Sequence, residues 1–166
     1  MVLQMEDCGI RDLETRLVAA CKAKGVSLAT AESCTGGLIA ARITSVPGSS
    51  AVFLGGVVSY ANAVKRDVLG ISAAILDGVG AVSAECAGAM AVGVRERLKA
   101  DVAVSVTGIA GPDGGTPQKP VGLVYLGVAS AAGVSVERHL FSGDRQAVRQ
   151  QAADRALTLL LEASAG

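Results

Sequence analysis

Apolar residues recur along this chain with two rhythms, and the switches between them mark out its elements. Ile10, Leu13, Leu17, Val18 and Cys21 return every three to four residues, with Arg11, Glu14, Lys22 and Lys24 opposite, which predicts an amphipathic helix ending near Gly25. Val26 to Ala31 is short, apolar and β-compatible and reads as a first strand. Leu38-Ile39-Ala40-Ala41 with Ile43 restores helical spacing to about Ser45, and Val46-Pro47-Gly48-Ser49-Ser50 breaks it. Ala51 to Tyr60 is a second strand in which Gly55-Gly56 marks a bulge or a close backbone approach. Helical spacing over Ala61 to Leu69 stops at Gly70, a short helix over Ala73 to Leu76 follows, and Ser83 opens a longer helix through Leu98. Ala100 to Val106, Val121 to Ala129 and Val134 to Phe141 are strands, the last two joined as a hairpin across Ser130 to Gly133. Asp144 starts a final helix to about Glu162, with Val148, Ala152, Ala156, Leu159 and Leu160 facing inward. This order predicts a single three-layer α/β/α domain over residues 1–166 with a mixed, mainly parallel sheet, preceded by a loose start at residues 1–9.

Composition narrows the chemistry. Hydrophobic residues make up 51% of the 166 but aromatics only 2%, so the core is built from Val, Leu, Ile and Ala. Lys plus Arg and Asp plus Glu both total 15. Without a positive field or stacking rings, nucleic acid is not an expected partner. Cys8, Cys21, Cys34 and Cys86 have no CxxC spacing and His139 is the sole histidine, so neither a metal site nor a cofactor is expected. A histidine-dependent triad is open only if His139 folds back to a nucleophile. No charged-then-apolar leader opens the chain and no apolar run reaches membrane length unbroken, which points to a cytoplasmic protein with reduced thiols and no membrane partner.

Four places hold more polar or special residues than structure alone asks for. At Ala29-Thr30-Ala31-Glu32-Ser33-Cys34-Thr35-Gly36-Gly37 a strand stops and a hydroxyl-rich turn opens into a helix. A helix beginning at Thr35, Gly36 and Gly37 aims unpaired N–H groups into that turn. Ser33 and Thr35 put hydroxyls there, although either could simply cap the helix. The stretch Thr107 to Gly122, with Gly108, Ala110, Gly111, Gly114 and Gly115, is glycine-rich and stiffened by three prolines. It reads as a binding loop or as a long hairpin-type connection. Neither a Walker loop nor GxGxxG is present. Ser59-Tyr60 with Lys65 sits where a strand ends and a helix starts, the place where α/β sheets open their crevice. A desolvated Lys65 would have a lowered pKa and could act as base for a serine, whereas a solvated one would be an ordinary helix lysine. Tyr60 is either a core or rim residue or a proton relay. Arg145 and Arg149, four apart after Phe141-Ser142-Gly143-Asp144, could hold a phosphate or carboxylate, remain surface charges, or pair with Asp144.

Taken in order, Ala31-Glu32-Ser33-Cys34-Thr35-Gly36-Gly37, Pro47-Gly48-Ser49-Ser50, Ser59-Tyr60-Ala61-Asn62 with Lys65, Thr107-Gly108-Ile109-Ala110-Gly111-Pro112-Asp113-Gly114-Gly115, Lys119-Pro120-Val121-Gly122 and Phe141-Ser142-Gly143-Asp144-Arg145 resemble the CinA C-terminal domain family from about Leu13 to Leu161. In many relatives a larger molybdopterin-binding-like domain precedes this one. The family includes nicotinamide-nucleotide amidohydrolases, which convert nicotinamide mononucleotide (NMN) to nicotinate mononucleotide and ammonia. The resemblance therefore implies a metal-free amidase acting on a phosphorylated pyridine nucleotide. By similarity Ser33 is the nucleophile, Lys65 its base and Tyr60 an accessory. The loop bearing Thr107, Gly108, Ala110, Gly111, Gly114 and Gly115 then lines the substrate site. Backbone N–H groups at Thr35-Gly36-Gly37 or in that loop would stabilise the oxyanion, and Arg145 contacts the substrate. Two other readings remain open, a nucleotide-binding regulatory module whose Lys65 is exposed and charged, and a Cys34 nucleophile. The small residues along positions 84–93 suggest a homo-oligomer.

Overall fold

Helices and strands fall where the two rhythms put them, with ends displaced by a few residues. The computed structural model describes residues 11–166, so the loose start at residues 1–9 and the packing of Ile10 lie outside the described residues. In order, the elements are α1 (Arg11–Lys24), β1 (Leu28–Glu32), α2 (Leu38–Thr44), a short 3₁₀ turn (Ser49–Ala51), β2 (Phe53–Val58), α3 (Asn62–Leu69), α4 (Ala73–Asp77), α5 (Ala84–Leu98), β3 (Val102–Gly108), β4 (Leu123–Ser130), β5 (Gly133–Leu140) and α6 (Arg145–Ala165). Ser83 and Asp144 cap as their sequence positions require. The Ser83 hydroxyl accepts the Cys86 N–H at 3.1 Å, and the Asp144 carboxylate accepts the Ala147 N–H at 2.9 Å.

The sheet has the order β2-β1-β3-β4-β5. β1 pairs in parallel with β2 and β3, while β3–β4 and β4–β5 are antiparallel. Four strands therefore run one way and β4 alone runs against them. Gly55-Gly56 provides both features its sequence implied. The β1–β2 register shifts beside it, and a Cβ at Gly56 would collide with the Thr30 hydroxyl on the neighbouring strand.

Helices cover both faces. One layer holds α1, α2 and α6 over a core that includes Leu17, Leu28, Ile39, Val104, Leu126, Val148 and Leu157. The other holds α3, α4 and α5 over Ala29, Ala31, Leu69, Met90, Val94 and Ala103. The small residues of α5 serve that second layer. A Cβ on Gly127 of β4 would come within 2.6 Å of the Ala87 carbonyl, and one on Gly93 would collide with the Leu69 carbonyl. Within the 84–93 stretch, Ala87 thus packs closely on β4 and Gly93 on α3.

Candidate active site

The strand order dictates where a ligand can sit. From β1 the chain crosses through α2 to β2 at one edge, then returns through α3, α4 and α5 to β3 on the opposite side of β1. The C-terminal ends of β1 and β3 thereby flank a topological switch point, where parallel strands open a crevice. Ser33 follows β1 directly. Its N–H continues the β3 ladder to the Val106 carbonyl (2.9 Å), and the Ser59 N–H reaches the Glu32 carbonyl (2.8 Å). The nucleophile candidate is thus fixed between the ends of three strands.

The start of α2 corrects one expectation. Neither Ser33 nor Thr35 caps it. Gly37 occupies the cap position with φ +101 and no side chain, and the Glu32 carboxylate, only 1% exposed, accepts the Ile39 and Ala40 N–H groups at 2.9 and 3.0 Å. A carboxylate reaching the first turn satisfies two orphan donors and the positive helix end together. The Thr35 hydroxyl is buried with no partner, whereas the Ser33 hydroxyl is left for chemistry. With both oxygens engaged by α2, the Glu32 carboxylate is not available to orient Lys65.

Lys65 lies on the first turns of α3 and is 1% exposed, which excludes the solvated helix lysine. Its Nζ lies 2.7 Å from the Ser59 carbonyl, 3.3 Å from the Tyr60 carbonyl and 3.1 Å from Ser33 Oγ. No carboxylate is among these partners. Burial lowers the Lys65 pKa, opposed by smaller contributions from the Cys86 and Cys34 thiols. Nζ donates to all three oxygens as an ammonium; as a neutral amine it keeps two N–H groups for the carbonyls and turns its lone pair to the Ser33 O–H.

Around this pair is a cavity of about 300 Å³ lined by Ser33, Cys34, Tyr60, Asn62, Lys65, Ala81, Val82, Asp113, Arg145 and the 107–111 and 114 stretch of the glycine loop. Of the residues singled out by sequence, Ser33, Tyr60, Lys65, Thr107, Gly108, Ala110, Gly111, Gly114 and Arg145 come together here. Thr35, Gly36, Gly37 and Gly115 do not line it. Thr35 is fully buried and the Gly36 N–H is spent on the Ser33 carbonyl at 3.0 Å. A Cβ on Gly37 would face Val58 at 3.6 Å, and one on Gly115 would press on Val121 at 2.8 Å. Asn62 and Asp113 are additions; each lies inside a motif already noted, but a lone amide or acid has no periodicity to single it out. Thr107 turns its hydroxyl to the Ala81 carbonyl (2.8 Å) and so ties the loop to the start of α5.

Tyr60 is 59% exposed and sits at the rim, where its hydroxyl accepts from Arg145 Nη2 at 2.9 Å while Arg145 Nη1 donates to the Gly111 carbonyl at 2.9 Å. Arg149, one turn on, donates to the Cys34 and Thr35 carbonyls at 3.1 and 3.0 Å. Neither arginine is a free surface charge. Cys34 is a poor nucleophile here, because burial pushes its thiol up to about 11 and leaves it protonated at neutral pH. His139 lies on β5, hydrogen-bonded to Glu137 (2.8 Å) and stacked on Phe141, and it does not line the cavity. Among the described residues no cluster of three or more His, Cys, Asp or Glu side chains could hold a metal ion, and no helix is long and apolar enough to cross a membrane.

Comparison with known proteins places this geometry. The model of the CinA C-terminal domain matches residues 10–164. A CinA-like protein of Citrifermentans bemidjiense is 56% identical over 138 residues, covering 83% of this chain and 33% of that protein. The chain spans about a third of the length of several such CinA-like relatives. A protein of Enterobacter agglomerans named nicotinamide-nucleotide amidohydrolase PncC is 52% identical over 150 residues, covering 90% of this chain and 92% of its own length. The crystal structure of competence/damage inducible protein CihA from Agrobacterium tumefaciens superposes with a TM-score of 0.91 at 42% identity, over 98% of this chain and 99% of that one.

Proposed function

This chain belongs to the CinA C-terminal domain family, and from that premise and the buried Ser33–Lys65 contact we propose that it hydrolyses the carboxamide of NMN to nicotinate mononucleotide and ammonia. The relative named nicotinamide-nucleotide amidohydrolase, matched over nearly its whole length, supports the substrate class. The observation that carries the mechanism is the 3.1 Å approach of Lys65 Nζ to Ser33 Oγ, with no competing carboxylate among the Nζ partners.

Ser33 Oγ attacks the amide carbon as its proton passes to neutral Lys65 Nζ. The resulting ammonium gives that proton to the amide nitrogen, which leaves as ammonia when the C–N bond breaks. Water then donates a proton to Nζ and adds its hydroxyl to the ester carbon. The C–Oγ bond breaks, Oγ regains the proton from Nζ, and the acid product departs, losing its own proton to solvent as the carboxylate. The Cys34 N–H, next to the nucleophile in a residue that lines the cavity, makes no backbone hydrogen bond among the described residues. As the first N–H after the nucleophile in sequence, it serves the oxyanion together with the glycine loop. Tyr60 and Arg145 close the rim and contact the nucleotide.

Ammonia and nicotinate mononucleotide formed in equal amounts from NMN by the purified protein are the expected result. Lys65→Met loses about 10²–10⁴-fold in kcat, the range of a general base. A Lys65→Met variant within a few-fold of wild type refutes the role of the lysine.

A further inference from the structure

Beside the reaction cavity lies a second one of about 780 Å³, lined by Ala110, Pro112, Val121, Gly143, Asp144, Arg145, Gln146 and Arg149. The two cavities share Ala110 and Arg145. Two guanidiniums therefore border it, and its one acidic lining residue, Asp144, has its carboxylate turned to the Ala147 N–H. Each arginine uses part of its five-donor fork on the reaction site. Arg145 reaches Tyr60 and Gly111, and Arg149 reaches the Cys34 and Thr35 carbonyls. Each fork keeps further N–H donors.

The hold of Arg149 on the turn after Ser33 is directional. In a trans peptide the C=O and N–H point opposite ways, so drawing the Cys34 and Thr35 carbonyls toward Arg149 turns the Thr35 and Gly36 N–H groups away from it. The Gly36 N–H then closes on the Ser33 carbonyl at 3.0 Å. Gly36 adopts φ +60, and a Cβ there would stand 3.6 Å from Arg149 Nη2. Arg149 thus holds the two peptides that follow Ser33–Cys34 and, through the Gly36 N–H, acts on the Ser33 carbonyl at one remove.

Building on the NMN-hydrolase reading, we propose that Arg149 is a positioning residue through which the phosphate of the substrate, seated in the larger cavity, sets the Ser33 turn. Phosphate on the outer N–H groups of Arg149 and Arg145 fixes both forks, and through the Cys34 and Thr35 carbonyls the phosphate's binding energy is expressed at the reacting atoms. Substrates without the phosphate then lose kcat and not only affinity.

The test compares NMN with nicotinamide riboside, which lacks the phosphate, in wild type, Arg149→Ala and Arg149→Lys, with melting temperature as the check on folding. The expected result is a loss on the order of 100-fold in kcat for wild type on the riboside, as for a displaced reacting group. A similar loss is expected for Arg149→Ala on NMN, with little further loss when the two changes are combined. Arg149→Lys behaves like Arg149→Ala, because an ammonium cannot span both carbonyls and the anion. Inorganic phosphite added to wild type raises kcat on the riboside, an arm that needs no variant to fold. Equal loss on both substrates in Arg149→Ala, a KM effect alone, or no response to phosphite overturns the coupling while leaving NMN hydrolysis standing. Absence of ammonia release from NMN by wild type overturns the underlying function, and this proposal with it.

Discussion

Replacing Glu32 by Gln isolates the contact that frees Ser33 from structural duty. The carboxylate is buried and takes two N–H donors at 2.9 and 3.0 Å. The isosteric amide keeps one acceptor oxygen and sets an NH₂ group against the other donor. A hydrogen bond to a charged group contributes about 1.5–3 kcal/mol, and a partly buried charge at a helix end up to about 2 kcal/mol. Because both figures describe overlapping parts of one contact, the expected loss is about 2–4 kcal/mol. For a domain of this size that lowers Tm by roughly 5–15 °C. Urea unfolding followed by circular dichroism should show a lower midpoint with an unchanged slope. Thr35→Val is the companion. Its hydroxyl is buried without a partner, so the methyl costs nothing and stabilises by up to about 1 kcal/mol. A Glu32→Gln variant within about 0.5 kcal/mol of wild type, alongside a clear loss in Thr35→Val, would refute this account of the α2 start.

The remaining predictions concern Lys65 and Cys34. Because burial lowers the Lys65 pKa and catalysis needs its neutral form, kcat/KM rises with pH through a midpoint below the ordinary lysine value of 10.5. A rate that is flat, or that falls as pH rises across that range, contradicts the base role. The same shift makes the unfolded state bind more protons between the two pKa values, so folding stability rises with pH over that window. Urea midpoints measured across it should rise more in wild type than in Lys65→Met. Cys34 is protonated at neutral pH, so iodoacetamide at pH 7 leaves turnover unchanged and Cys34→Ala keeps the pH profile; loss of the pH-dependent limb in that variant would transfer the nucleophile's role to the thiol.

The sheet and both helical layers were legible because the helices bury one apolar stripe at helical spacing and the central strands β1 and β3, buried on both faces, form short unbroken apolar runs. Lys65 was legible as a candidate for a different reason: it follows a strand end by a few residues, and strand ends of parallel sheets converge. The cap of α2 was not legible. Glu32 reaches Ile39 and Ala40 across a turn of glycines, seven and eight residues on, whereas an ordinary N-cap side chain bonds an N–H two or three residues on, the spacing that Ser33 and Thr35 offer. The long-range roles of Arg145 and Arg149 were equally hidden. Their spacing showed a shared helix face, but their partners lie 34 to 115 residues away and only the folded chain brings them together.

If Ser33, activated by Lys65, cleaves the amide of NMN, removing its hydroxyl must stop turnover without unfolding the chain. Ammonia release from NMN by wild type and Ser33→Ala, with matched urea midpoints to establish that both are folded, tests it most directly. The account predicts steady release by wild type and a loss of about 10⁴-fold or more in the variant, as when a covalent nucleophile is removed. Release by Ser33→Ala at the wild-type rate, or none by wild type at any pH from 6 to 10, would contradict it.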